Sequence, residues 1–476
     1  MSDFICQFGQ EGTNSQYYLS SSRQSIINIV SVLSAGTFCG AIAQAFTSDR
    51  LGRCGSILFW SAIFTVGVAI QTSTTYSLVQ LLIGRHIAGL GAGSLSAIVP
   101  LYNGETAPKA IRGTILAIYQ VQIISGVFLS YVFELGSHTI NNSASWRLPI
   151  GLQMVWGIII LSGMFFLPES LRHLLGTGRG DQARKVIAEL NGVPEDDPLV
   201  IEIVRELDFA IRAENEGGKA TWLECFSTRN ALWRRTINGM VLQFIQQLNG
   251  QNFYYFYGDT FFQSAGAGRT ILGAVSLFGT LPALYFIETW GRRKSMLLGA
   301  SAQAVCALIV AVIGHATLAP TGTPTSALTP RNRAGGNVVI TFAVFQVFIF
   351  NTTWGSTPWV YLGESFPLRV RPKSIAFGCA TNWFWNFMLS YFSPRIVDRI
   401  GPMIMFVFFG MLVFGYIYVY FAIPETKGLT LEEVDELYRS GIAPWRSVGW
   451  RPSEKHYHPE VHEKQGSVKN LAAIRP

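Results

Sequence analysis

The chain has 476 residues, of which 14% are charged and 49% apolar; it contains 33 Phe and its mean hydropathy is +0.30. An ordinary soluble domain is about 25% charged, so this composition excludes a disordered chain, a disulfide-stapled secreted module and a nucleic-acid binder with a solvated basic face. It describes a protein whose solvent is mostly lipid, and the net charge of +7 has to be read by location.

Residues 1–25 are polar, carry no signal-peptide core, and are expected on the outer side. Eleven apolar runs follow, at about 26–46, 54–71, 78–101, 114–133, 148–167, 237–262, 270–287, 296–318, 338–362, 375–392 and 402–423. A helix needs about 20 residues to cross the hydrocarbon layer. Only helices satisfy their own backbone there without a partner strand. The sequence therefore predicts an all-α, polytopic membrane protein. Residues 26–167 form an N-terminal bundle of five spans and 236–423 a C-terminal bundle of six. Residues 168–235 form a cytoplasmic linker, and 424–476 a cytoplasmic tail. Within the linker, Val186-Ile187-Leu190 and Ile201-Val204-Leu207 read as the apolar faces of short helices.

With the N-terminus outside and sides alternating, 28 Lys and Arg fall on one side and 7 on the other, Arg85 lying inside a run. Such an excess marks the cytoplasmic side, so the C-terminus is expected there. The sequon Asn141-Asn142-Ser143 falls on an outer loop, whereas Asn351-Thr352-Thr353 sits in an apolar run. The six cysteines are scattered without a CxxC and read as small buried side chains. His456, His458 and His462 lie in a charged, Pro-containing tail and read as solvated rather than as metal ligands.

The chain repeats itself. Asp49-Arg50-Leu51-Gly52-Arg53 is echoed by Glu288-Thr289-Trp290-Gly291-Arg292-Arg293. Tyr102-Asn103-Gly104-Glu105, with Pro108 and Arg112, is echoed by Tyr361-Leu362-Gly363-Glu364, with Pro367 and Arg371. Pro168-Glu169-Ser170 is echoed by Pro424-Glu425-Thr426. Many transporter folds are built from such repeats, two helix bundles about a midplane site. The Gly-Arg loop follows two runs in the second half and one in the first, so by symmetry one helix is missing ahead of residue 26.

Gln243, Gln247 and Gly250 fall at i, i+4 and i+7, with Gln246 beside them; Asn382 and Asn386 make a second stripe. A polar stripe on an apolar span faces protein or water. Neutral amides donate and accept, as hydroxyl groups do, and Trp359 offers a flat apolar face with one N–H. The residues alone leave open whether these amides meet a solute or join helices. Gly36-x-x-x-Gly40 and Gly89, Gly91 and Gly93 read as close helix contacts, not as a dinucleotide fingerprint. No nucleotide loop, metal cluster or catalytic dyad stands at depth, so no enzyme and no cofactor is expected.

Taken in order, several motifs resemble the sugar porters of the major facilitator superfamily, most of all fungal hexose transporters, over residues 17–450. They are Arg85 with Gly89-x-Gly91-x-Gly93, Pro100-x-Tyr102-x-x-Glu105 and Arg112-Gly113. Gln246-Gln247-Leu248-x-Gly250-x-Asn252, Trp359 with Glu364, Asn382-Trp383 and Pro424-Glu425-Thr426-Lys427-Gly428 complete the set. The resemblance implies the two-bundle fold with 11 of the usual 12 helices, the first lacking. It implies movement of a monosaccharide, a hexose such as glucose, across the plasma membrane by alternating access, with protons as a partner in coupled members. It assigns sugar contacts to Gln120, Gln246, Gln247, Asn252, Trp359 and Asn386. It also implies a cytoplasmic gate of Arg53, Glu105, Arg112, Glu169, Arg292, Arg293, Glu364, Arg371 and Glu425, pairing across the two bundles when the inner side is closed. Two alternatives share the resemblance: a non-transporting sugar sensor and a truncated, non-functional transporter. The chain departs from the family at Ser276, Ser356, Cys54 and Thr289, and in Pro168-Glu169-Ser170-Leu171-Arg172-His173, where the pattern is Pro-Glu-Ser-Pro-Arg-Trp.

Overall fold

A computed structural model of the chain describes residues 10–11, 17–18, 23–75, 77–107, 112–137, 139–140, 142–215, 221–255, 269–318, 329–367, 369–429 and 431–451. The sequon residue Asn141 and the tail histidines lie outside them. Strands β1 (Gln10–Glu11) and β2 (Tyr17–Tyr18) pair antiparallel, Gln10 opposite Tyr18. All other regular structure among the described residues is helical.

The first half comprises α1 (Arg23–Thr72), α2 (Leu78–Thr106), α3 (Arg112–Ser137) and α4 (Ala144–Met164). The linker carries α5 (Leu171–Gly176), α6 (Gly180–Asn191) and α7 (Pro198–Asn215). The second half comprises α8 (Leu232–Gln247), α9 (Arg269–Trp290), α10 (Arg292–Thr317), α11 (Pro330–Thr352), α12 (Thr357–Glu364), α13 (Arg371–Ile400) and α14 (Ile404–Ala422). The short α15 (Leu431–Arg439) follows. By length and composition, eight stretches among the described residues suit a membrane crossing. α13 falls outside that set because Thr381, Asn382, Asn386 and Ser390 dilute its apolar stretch, and α8 because it is only 16 residues long.

Four expected runs change shape. Runs 26–46 and 54–71 form the single element α1, broken at Gly52, whose φ of 80° and ψ of −176° belong to a region that only glycine occupies readily. Run 338–362 is split into α11 and the half-helix α12. Run 237–262 stops as α8 at Gln247, turns through Gly250 at φ 93° and resumes at 251–255. In the linker the apolar faces also shift. Val200, Ile203, Val204 and Leu207 pack on Ile187 and Ala188, whereas Ile201 and Leu190 are 44% and 56% exposed. Val200, Val204 and Leu207 keep helical spacing and Ile201 lies off that stripe, while Leu190 sits in the last turn before the Gly192 cap.

Helices α1 and α2 pack backbone to backbone. A Cβ on Gly40 would stand 2.1 Å from Leu90 O, and one on Gly93 2.0 Å from Thr37 O. The halves meet through α1 against α13, α3 against α9, and α12 against α2 and α3. Their seam is apolar: Ala41, Ala97 and Leu101 from the first half meet Trp359, Leu362, Phe366, Ile375 and Cys379 from the second.

Gly52 and its repeat partner Gly291, at φ 89° and ψ 173°, require glycine on two counts, backbone conformation and space. A Cβ at either would stand 2.5 Å from a glutamate oxygen, of Glu169 or Glu425 respectively. Backbone strain alone is worth about 1–3 kcal/mol at such a position. We expect Gly52→Ala and Gly291→Ala each to lower the thermal unfolding temperature of the purified protein by several degrees. Gly126→Ala, where a Cβ meets nothing within 4 Å, should leave it unchanged.

Candidate solute site and basic-face gate

Midway along α13 and at the end of α8 the polar stripes converge. Asn382 of α13 donates from Nδ2 to Gln243 Oε1 at 2.6 Å and Gln246 Oε1 at 2.9 Å. Its Oδ1 accepts from Gln247 Nε2 at 2.8 Å. Gln247 Oε1 accepts from Asn386 Nδ2 at 3.2 Å and from Asn252 Nδ2. Gln246, Gln247, Asn252 and Asn386 are therefore one connected network. At 1.5 Å per residue, Asn386 lies about 20 Å along α13 from its basic end.

The network reaches the first half. Ser34 of α1 donates to Asn386 Oδ1 at 2.8 Å. One turn closer to the basic face, Trp383 Nε1 donates to Ser96 Oγ of α2 at 2.8 Å. Tyr119 Oη of α3 donates to the carbonyl of the same Ser96 at 3.3 Å, and its ring meets Trp359 edge-on with centroids 5.7 Å apart. Trp359 thus joins the seam rather than the amide network. Gln120, the neighbour of Tyr119, is buried at 6% exposure and bonds to none of the described residues. Ser34, Ser96 and Tyr119 carry no sequence signal: serine in a spanning helix more often bonds its own backbone, and a lone Tyr in an apolar run reads as packing.

The breaks in the helices are closed by side chains. The gap between α11 and α12 leaves the carbonyls of Trp354 and Gly355 without helical donors. Gln246 Nε2 donates to both, at 3.0 and 2.9 Å. The turn after α8 leaves Asn249 O, which accepts from Gln346 Nε2 of α11 at 2.9 Å. Tyr254 Oη completes the pair by donating to Gln346 Oε1 at 3.0 Å. Arg85 of α2 donates from Nη1 to Ile29 O, near the start of α1, at 3.1 Å.

On the basic face the repeat becomes geometry. Arg53 makes two parallel bonds of 2.9 Å to Glu105, while Glu169 accepts from the backbone N–H of Arg53 at 2.8 Å and of Cys54 at 3.1 Å. Arg292 likewise binds Glu364 at 2.8 and 3.1 Å, and Glu425 accepts from the N–H groups of Arg292 at 2.9 Å and Arg293 at 3.1 Å. Ser170 and Thr426 each donate a hydroxyl to the paired glutamate, Glu105 and Glu364. Arg293 ties α10 to the end of α14 through Ile423 O and Tyr420 O. Arg371 donates twice to Phe366 O, holding the turn into α13. Among the described residues these two arginine–glutamate sets each close within their own half, because the glycine break delivers the arginine to the glutamates of its own bundle. The Arg112 side chain lies outside the described residues. Across the seam, Lys373 reaches Asp49 Oδ2 at 3.4 Å.

A model of the family described as "Sugar (and other) transporter" matches residues 1–438. The chain belongs to the sugar transporter family. It is 39% identical over 458 residues to a low-affinity glucose transporter of Kluyveromyces lactis, covering 95% of this chain and 80% of that one. It is 36% identical over 479 residues to the low-affinity glucose transporter HXT1 of Saccharomyces cerevisiae, covering 98% and 83%. Among solved structures, the major facilitator proton:xylose symporter XylE bound to 6-bromo-6-deoxy-D-glucose superposes with a TM-score of 0.76 at 23% identity, covering 89% of this chain and 91% of that one. The two-bundle major facilitator fold and a multi-pass membrane protein follow. So does a transporter rather than an enzyme.

In this sugar transporter His173 stands where the family pattern has Trp. Its Nδ1 accepts from Arg53 Nη1 at 3.2 Å, so the ring is neutral with its proton on Nε2. Burial, and then the Arg53 guanidinium, hold its pKa below the ordinary 6.5. The unfolded chain therefore takes up a proton that the folded chain refuses as pH falls below about 6.5, and stability declines there. We expect the unfolding temperature to drop between pH 7 and 5 by more in the native protein than in His173→Gln, which has no proton to gain.

Proposed function

We propose that the protein carries a hexose, glucose foremost, across the plasma membrane by alternating access. The observation that carries this reading is the amide network at mid-depth, closed across the two halves by the Ser34–Asn386 bond. A sugar hydroxyl both donates and accepts, so it can replace an amide–amide bond without leaving either partner unpaired. Gln247, Asn252 and Asn386 are the natural exchange partners, because the bonds that Gln247 Oε1 accepts from the two asparagines are between side-chain amides and hold no backbone carbonyl. Gln246 contributes only its Oε1, since Nε2 holds two backbone carbonyls. Gln120 presents an amide without a described partner, and Trp359 supplies a ring face. The relatives named as glucose transporters, at 36–39% identity and high coverage, support the same substrate class.

The basic face is the cytoplasmic one by its excess of Lys and Arg, which puts the C-terminus inside. On that side the apolar seam is shut. Arg53, Glu105 and Glu169, with Arg292, Arg293, Glu364, Arg371 and Glu425, then act as rigid ends of each bundle, so that a rocking motion is transmitted without bending them. Arg112 belongs to the same proposed gate by its place in the repeat.

Labelled-glucose uptake into cells lacking their own hexose transporters tests the assignment. A lost hydrogen bond in a buried site is worth about 1–3 kcal/mol, so Gln247→Ala should raise the KM for glucose about tenfold at equal surface expression. Unchanged KM and maximal rate would remove Gln247 from the site.

A further inference from the structure

A cluster at the cytoplasmic rim belongs neither to the amide network nor to the two arginine–glutamate sets. Trp222 lies in the linker between α7 and α8. Its ring is 5.5 Å from Phe46 near the inner end of the first segment of α1, and 5.2 Å, edge-on, from Phe377 of α13. Lys373 Nζ stands 6.0 Å from the same ring and also reaches Asp49 Oδ2 at 3.4 Å. Phe226 meets Phe377 edge-on at 5.2 Å, and Glu224 pairs with Arg369 at 3.2 Å. One indole therefore touches both halves at once, with an ion pair between those halves beside it.

The position matters for the transport cycle. Phe46 lies five residues beyond Ala41, and Phe377 two residues before Cys379; both Ala41 and Cys379 are seam residues. Opening the cytoplasmic side parts α1 from α13 at this point, and a single ring cannot follow both. Ring contacts and an exposed ion pair are individually modest, but opening breaks the ring's hold on one half together with the Lys373–Asp49 pair. They act on the closed state alone, which is the condition for shifting a two-state equilibrium.

We propose that Trp222 is a positioning residue of the transport cycle: a clasp carried by the linker which, with the Lys373–Asp49 pair, holds the cytoplasmic side shut and sets how often it opens. The inference rests on the alternating-access reading above.

Cys379, wholly buried in the seam with its Sγ 3.9 Å from Ser96 O, is a built-in reporter. The full chain, with its other five cysteines replaced by alanine, is labelled with a membrane-impermeant maleimide applied to the cytoplasmic face of inside-out vesicles. Trp222→Ala should raise the labelling rate about tenfold, the factor that about 1.4 kcal/mol supplies. Trp222→Phe, which keeps ring contacts, should stay near the parent rate. Asp49→Lys should raise the rate, and adding Lys373→Asp should bring it back; this pair carries the test should Trp222→Ala fail to insert. Parent-like labelling of Trp222→Ala, or of Asp49→Lys, overturns the clasp. Labelling needs no sugar, so these results stand apart from glucose uptake by the same parent, which judges the transport reading.

Discussion

Lipid offers no partner to a backbone carbonyl, and an unsatisfied one costs several kcal/mol there. Every interruption of a spanning helix must therefore be closed by protein. This chain interrupts two helices and closes them reciprocally. Gln246, at the end of α8, holds the carbonyls between α11 and α12, and Gln346, within α11, holds the carbonyl after α8. Each break is tied to the helix that carries the other. The two elements that bring Gln247, Asn252 and Trp359 toward mid-depth are thereby fixed as one unit, and the amide network grows from it through Asn382.

The basic face obeys a second constraint, repeated in both halves. A glycine with positive φ reverses the chain without a Cβ where a glutamate carboxylate approaches. That carboxylate caps the next two N–H groups, and the arginine just after the glycine locks to a second glutamate. Charge-assisted, bidentate bonds of this kind are strong and directional. Because each set closes within its half, it stiffens a bundle rather than bolting the bundles together. The contacts that must break on opening are those of the seam and rim, which are mostly apolar and therefore individually weaker. Such a division suits a molecule that moves as two rigid bodies.

Much of this was legible in the sequence. Charge depletion and run length give the class, and the ordered repeat gives two halves and names the glycines, arginines and glutamates of the basic face. The stripes at i and i+4 single out Gln243, Gln247, Asn382 and Asn386. What sequence could not carry was partnership. Gln246 reads the same whether it meets a solute or a carbonyl, since the break at 353–356 lies within an apolar run. The arginines could reach either bundle until the Gly52 and Gly291 conformations fixed their direction. Ser34, Ser96 and Trp222 matter only through contacts with residues far along the chain, and no local period marks them.

The central proposal is that a sugar binds at the amide network beside Trp359. Tryptophan fluorescence of the purified protein, titrated with D-glucose and with L-glucose, reads this directly. The account predicts a saturable change with D-glucose alone, abolished in Trp359→Phe. Equal responses to the two enantiomers, or a D-glucose response that survives the loss of Trp359 undiminished, would contradict it.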